Sequence, residues 1–170
     1  MDAEDLVFEA ELPASIRVVT ILVWVVVLGT GAWMVWQGLT HGPRGTIVLG
    51  PLIPAILGVT WAFHPRGYRI TREALAIDRP IGPAIFALSE IDRVELDPTL
   101  MRMPTIRVLG SGGFHGVYGR FWRKGVGMFS SHVTDPANVV RIDRRGGASV
   151  AVSPTRPEAF VEALRARLTR

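Results

Sequence analysis

Residues Val139–Leu164 read VVRIDRRGGASVAVSPTRPEAFVEAL, and the hydrophobic period changes partway along. VVRID and SVAV are short runs of strand type, separated by Arg144-Arg145-Gly146-Gly147, the clearest hairpin signal in the chain. After Ser153-Pro154 the period becomes helical. Phe160, Leu164 and Leu168 recur every four residues with Val161 beside them, which makes one apolar stripe. Thr155 and Glu158 have the spacing of a T-x-x-E capping box, with Pro157 in the first turn. Arg165 and Arg167 lie near the helix C-terminus, where positive charge suits the helix dipole.

Upstream the strand pattern continues. Tyr68 and Ile70 share a face in YRI, as do Leu75 and Ile77 in ALAI. AIFAL, RVEL and TIRVL are further short strand segments. Short strands separated by turns predict an antiparallel sandwich or barrel, here closed at one mouth by the C-terminal helix.

Further toward the N-terminus the chain changes character. Val18–Leu39, VVTILVWVVVLGTGAWMVWQGL, is free of charge. Its 22 residues span about 33 Å as a helix, enough for a hydrocarbon core of about 30 Å. An acidic leader, an overlong apolar run and the lack of a small-x-small site argue against a signal peptide. Thr46–Phe63, TIVLGPLIPAILGVTWAF, is near the short end for a span and contains Pro51 and Pro54, which membrane helices tolerate and which predict a bend. Between them, THGPRG (Thr40–Gly45) makes only a tight turn, so the two helices are antiparallel neighbours. Trp33, Trp36 and Trp61 sit near the ends, as interfacial aromatics do. Arg17, Arg66, Arg69 and Arg72 flank the open end of the hairpin against Arg44 in the turn, which predicts a multi-pass membrane protein with both termini cytoplasmic. No charged residue within either span marks an ion path or proton relay.

The expected organisation is therefore an acidic tail over residues 1–15, a two-helix transmembrane hairpin over 16–63, and a mainly-β domain over 67–170. The 170 residues carry a net charge of +4, unevenly spread. Met1–Ser15 holds five acids and no base, whereas from His64 onward there are seventeen Lys/Arg against ten Asp/Glu. The absence of cysteine excludes disulfides, zinc ribbons and thiol chemistry.

The segment RVLGSGGFHGVYGRFWRKGVGMFSSHVTDPANVVRIDRRGGASVAVSPTRPEAFVEAL resembles the bacterial PH-like domains of small membrane-anchored proteins. The pattern is a glycine-rich segment ending G-R-F, a strand with threonine before NVVRI, a glycine-turn hairpin, then Ser-Pro and a helix with P-E-x-F. ALSEIDRVEL looks like the third and fourth strands. The resemblance covers roughly Gly67 to Leu168. It implies a PH-like fold of two packed antiparallel sheets with a capping helix, and it implies no particular chemistry. Eukaryotic PH domains often bind phosphoinositides through a basic loop between the first two strands. Here that loop is Thr71–Glu73, too short and too poor in charge to carry the site over.

Gly110–Phe129, GSGGFHGVYGRFWRKGVGMF, is the stretch with most potential for chemistry. It is not a P-loop, because Lys124 is followed by glycine, and it is not G-x-G-x-x-G, because His115 takes the third glycine's place. Four readings remain. The glycines permit turns and bulges while Phe114, Phe121 and Phe129 pack the barrel. Arg120, Trp122, Arg123 and Lys124 form a basic aromatic lip that touches an anionic leaflet. The same lip meets a protein partner. Or its aromatics stack nucleic-acid bases, which a membrane tether and few charges disfavour, so no nucleic acid is expected. His41, His64, His115 and His132 lack ligand spacing, so no metal is expected, and no cofactor motif is present. SSHVTD (Ser130–Asp135) contains Ser, His and Asp, but sequence neighbours do not make a triad, and a strand with a polar face is the simpler reading. Glu95 and Asp97 share a strand face in solvent and do not form an acid/base pair. No catalytic residue is assigned.

The sequence thus predicts a non-enzymatic interaction or scaffolding module held on the cytoplasmic face by its hairpin. The runner-up is an accessory subunit of a membrane-protein complex that acts through the helices. An anionic-lipid sensor and a small hydrolase follow.

Overall fold

The computed structural model describes residues 5–102 and 104–169. Asp2 and Glu4 of the acidic tail, and Arg170 at the end of the β-domain, lie outside the described residues. The two apolar runs form helices α1 (Ala14–Thr40) and α2 (Gly45–Ala62), about 40 and 27 Å long at 1.5 Å per residue. Both are long and apolar enough to cross a membrane. Helix α1 starts at Ala14, two residues before the expected boundary. At its other end the backbone N–H groups of His41 and Gly42 donate to the Gln37 carbonyl.

The helices meet through glycine. A Cβ on Gly31 would lie 2.6 Å from the Gly50 carbonyl oxygen, and a Cβ on Gly50 would lie 2.6 Å from that of Gly31. Pro54 lacks the N–H that would bond Gly50 in a regular helix, so the Gly50 carbonyl is free to face the neighbour. Small residues that let backbones approach are the usual contact in lipid, where apolar side chains gain nothing by leaving solvent. Helix α2 is assigned continuously through Pro51 and Pro54.

The remaining elements form two sheets. The first has the order β1-β2-β3-β4, with β1 (Leu6–Glu9), β2 (Gly67–Ile70), β3 (Ala74–Asp78) and β4 (Ala84–Ala87). The second contains β5 (Ile91–Leu96), β6 (Thr105–Gly112), β7 (Val117–Arg123), β8 (Gly127–Val133), β9 (Val140–Arg144) and β10 (Ser149–Val152), in the order β5-β9-β10-β8-β7-β6. Helix α3 (Pro157–Leu168) closes the domain. The two-sheet, capped architecture implied by the resemblance is present.

Four details differ from the sequence reading. First, the acidic tail contains a strand. β1 pairs antiparallel with β2, Phe8 opposite Tyr68, and the Phe8 ring meets Phe160 edge-on at 5.1 Å. Second, the sheets are not wholly antiparallel. The β9–β10 hairpin inserts so that β10 runs parallel to β8, Ser149 opposite Phe129 through Val152 opposite His132. Third, the capping box does not form. The N-cap is Arg156, with no side-chain cap, and Pro157 is the first helical residue. Thr155 therefore sits one position too early, and both its N–H (3.0 Å) and its hydroxyl (2.9 Å) donate to the Glu9 carbonyl, latching β1 to the start of α3. Fourth, Glu95 and Asp97 are not simply solvated. Both pair with Arg141, which also lies 3.2 Å from Asp143.

Two clusters make the core. Between the sheets, Tyr68, Ile70, Leu75, Ile77, Val140 and Ile142 pack under Phe160, Val161 and Leu164 of α3. On the other face of the larger sheet, Phe121, Phe129, Val133 and Ala151 are covered by Leu100 and Val139. Tyr68 joins the sheets with its polar end. Its hydroxyl donates to the His132 carbonyl (2.7 Å) and accepts from the Ser153 N–H (3.0 Å). Burial pushes this phenol up to about 12, against the opposing pull of hydrogen bonds from Ser153 and Thr134.

Candidate interaction site at the helix–domain junction

The glycine-rich stretch is where the sheet domain meets the helices. Gly110 and Gly119 face each other across the β6–β7 ladder with φ of +126° and +124°. A Cβ on either would overlap the opposing backbone, Tyr118 on one side and Leu109 on the other. Only glycine holds this conformation without strain. Tyr118 and Phe121, three residues apart and so on opposite faces of β7, are both buried. Phe121 points into the second core cluster. Tyr118 reaches the other way and donates its hydroxyl to the Thr60 carbonyl at 2.7 Å. That carbonyl belongs to the last turn of α2, where helical acceptors need outside partners. Burial raises the Tyr118 phenol above its ordinary value, opposed by the bonds to Thr60 and Ser111.

The tip of the same hairpin leans on α1. His115 sits in the left-handed region at φ 57°, and its N–H donates to the Thr20 hydroxyl at 3.4 Å. The Trp24 indole N–H donates to His115 Nε2 at 3.2 Å, so that nitrogen is bare. Phe114 packs on Trp24 with centroids 5.9 Å apart, and His115 lies 5.4 Å from His64 beyond the end of α2. Burial, with the nearby His64, lowers the His115 pKa, which keeps the ring neutral and able to accept. The Ser111 hydroxyl fastens the tip through the Phe114 carbonyl at 2.8 Å. Phe114 thus packs against a helix, whereas Phe121 and Phe129 fill the domain core as the sequence suggests.

A cavity of about 340 Å³ opens beside this junction. Val59 and Thr60 from α2, with Phe63 just after it, form one wall, Leu109 and Tyr118 from the hairpin another, and Arg79, Arg120 and His132 complete it. The walls are almost entirely apolar. Arg79, between β3 and β4, donates its Nε to the Gly82 carbonyl at 3.1 Å and lies over the Phe63 ring at 6.0 Å. Burial lowers its pKa. Among the described residues His132 Nδ1 has no hydrogen-bond partner. Burial, then the charge of Arg79, depresses its pKa to about 4, so the ring is neutral near pH 7.

The structure divides the four lip residues named from the sequence. Arg120 lines the cavity. Trp122 is partly exposed further along β7. The Arg123 guanidinium donates to the Thr99 carbonyl, and Lys124 is exposed in the β7–β8 turn. Arg123 is five residues beyond Tyr118, roughly 17 Å along a strand at about 3.4 Å per residue. Arg79 and His132 were not singled out as partners of Arg120. They are 41 and 12 residues away in the chain, and no local pattern joins them.

The Ser-His-Asp segment is taken up by structure. Ser131 is buried and donates to the Val117 carbonyl at 2.5 Å, and the Asp135 carboxylate accepts from the Ala137 N–H and the Asn138 amide. Among the described residues no three His, Cys, Asp or Glu side chains group as a metal site.

Residues 66–168 match the sequence profile of a family described as a bacterial PH domain. No curated protein and no solved structure is detectably similar to the chain.

Proposed function

The chain belongs to the bacterial PH domain family, and from that premise we propose that it is a non-catalytic interaction module anchored by its two-helix hairpin to the cytoplasmic face of a bacterial inner membrane. The observation that carries this reading is the junction. The domain is held near the end of α2 by Tyr118–Thr60 and the Ile81–Ala62 backbone bond, and against the first half of α1 by Trp24–His115, as a platform fixed to the open end of a hairpin.

Three features support the anchor. A soluble core helix is mostly covered, yet only 11% and 6% of the most apolar windows of α1 and α2 are buried. Cleavage after α1, as in a signal peptide, would remove β1 from the sheet it completes. The pairing of β1 with β2 also brings the chain before α1 and the chain after α2 to the same end of the hairpin. The arginine count favours a cytoplasmic location for that end. The outer faces of the helices favour a second reading, contact with other membrane helices: Gly29 and Gly58 have no neighbour within 4 Å and leave room for close backbone approach.

Reporter fusions after Arg170 and within Thr40–Gly45 test the topology. A cytoplasmic reporter at the first site and a periplasmic one at the second are expected, and the reverse overturns the orientation. Photo-crosslinkers at Trp122 and Lys124, compared with crosslinkers at Gly29 and Gly58, then separate the two readings. A defined protein adduct from the domain positions supports the platform, and adducts from the helix positions alone support the accessory subunit.

A further inference from the structure

The junction cavity combines an almost entirely apolar trough with two arginines among its lining residues. The exposed side chains of Val59 and Leu109, 61% and 71% accessible, flank its apolar side. Arg79 and Arg120 are its charged groups. Neither makes an ion pair among the described residues, and no Asp or Glu lines the cavity. The third titratable group, His132, is neutral near pH 7 and offers no counter-charge. Polar atoms make up almost none of the cavity wall, so the two guanidinium groups, Arg120 exposed and Arg79 half-buried, offer an anion charge-assisted bonds at the edge of the apolar space. The volume is at the lower end of ligand pockets, roughly 300–1,000 Å³. Val59, Thr60 and Phe63 belong to the final turn of α2 and the residue after it, so on the membrane-anchored reading the cavity lies where that helix leaves the hydrocarbon.

We propose that this cavity binds one anionic phospholipid of the surrounding leaflet, with part of an acyl chain along Val59, Phe63 and Leu109 and the phosphate between Arg79 and Arg120. The inference rests on the membrane-anchored reading. It differs from a basic lip pressed on a charged surface, because a chain-filled cavity recognises a single lipid. The apolar wall loses water to the chain, and the phosphate completes two arginines that the fold leaves without acids.

The test uses the full chain in a neutral detergent. Phase separation in a cloud-point detergent comes first. Recovery in the detergent phase is expected, and recovery in the aqueous phase overturns the anchor and the inference together. Native mass spectrometry then follows titration with phosphatidylglycerol, with phosphatidylcholine of the same chains, and with glycerol phosphate. One phosphatidylglycerol per chain is expected, with at least a tenfold preference over phosphatidylcholine. Arg79→Gln and the exposed Arg120→Gln should each remove most of that preference, while Arg145→Gln, on the distant β9–β10 turn, should leave it intact. Leu109→Trp, at an exposed position that tolerates the change, should weaken both lipids at least fivefold without altering their ratio. Equal binding of the two lipids by a detergent-phase protein overturns the inference and leaves the anchor standing. Equal losses from Arg145→Gln and Arg120→Gln would mean diffuse attraction and overturn it too. Glycerol phosphate binding as tightly as the lipid, with Leu109→Trp silent, would assign the site to a soluble phosphate ester instead.

Discussion

Gly119→Ala should uncouple the β-domain from the helices. Gly119 has φ +124°, a region that costs a residue with a Cβ about 1–3 kcal/mol. A Cβ there also overlaps the Leu109 carbonyl oxygen and lies 2.7 Å from the Gly110 Cα, and both are backbone atoms that no rotamer change can move. Overpacking of that kind adds about 1–3 kcal/mol, for a total of about 2–6 kcal/mol against a typical stability of about 5–15 kcal/mol. Gly125 supplies the control. It also has positive φ, +88°, but nothing lies within 4 Å of its Cβ position, so Gly125→Ala should incur only the conformational part. The assay is urea unfolding of the full chain in mild detergent, followed by near-ultraviolet circular dichroism, with stability compared through the midpoint at constant slope. Because Tyr118 precedes Gly119, hydrogen exchange at the end of α2 should rise in Gly119→Ala and not in Gly125→Ala. Equal destabilisation by the two substitutions, or unchanged exchange near Thr60, would refute the argument that the Gly110–Gly119 crossing aims Tyr118 at the helix.

Leu164→Ala should cost about 2–5 kcal/mol, since Leu164 is fully buried among the inter-sheet residues, as the loss in urea midpoint will show. Thr155→Ala should cost about 1 kcal/mol by removing one hydrogen bond. Its signature in hydrogen exchange should be loss of protection at residues 6–9 rather than fraying of α3. His132 titrates at about 4 in the folded chain against an ordinary 6.5, so the unfolded state binds the extra proton between those values. Stability should therefore fall on acidification from about pH 6.5 to about pH 4, by up to about 3 kcal/mol from this group, and be indifferent to it above that window. His132→Gln should flatten that part of the stability profile, and an unchanged pH slope would show that the ring is not the group being titrated.

How much could be read in advance depended on how local the determining interactions are. The hairpin helices are uniformly apolar and α3 has an unbroken four-residue stripe, so each announces itself within one window of sequence. The β9–β10 hairpin was legible because its turn carries its own glycine, with Gly146 at φ +69°. β1 was not. Leu6 and Phe8 alternate correctly, but four residues among carboxylates count as a strand only beside the waiting edge of β2, some 60 residues later. The parallel placement of β10 was equally hidden, because an isolated hairpin says nothing about which neighbour it will join.

The junction shows why a glycine-rich run is informative without being decipherable. Composition signals that the backbone must do something that side chains forbid. What it does here depends on register, since Gly110 and Gly119 act only as a facing pair. Its consequence depends on a partner still further off, the Thr60 carbonyl in the last turn of α2. The same logic applies to charge. Arg120 reads as one of a basic trio with Arg123 and Lys124, yet Arg123 is spent on the Thr99 carbonyl and Lys124 belongs to a distant turn. The residues that share a cavity wall with Arg120 are Arg79 and His132, far from it in sequence. Positive charge clustered by sequence is easily dispersed by a strand's alternation and length, whereas residues far apart in the chain, such as Arg79 and Arg120, are brought to one cavity only by the fold.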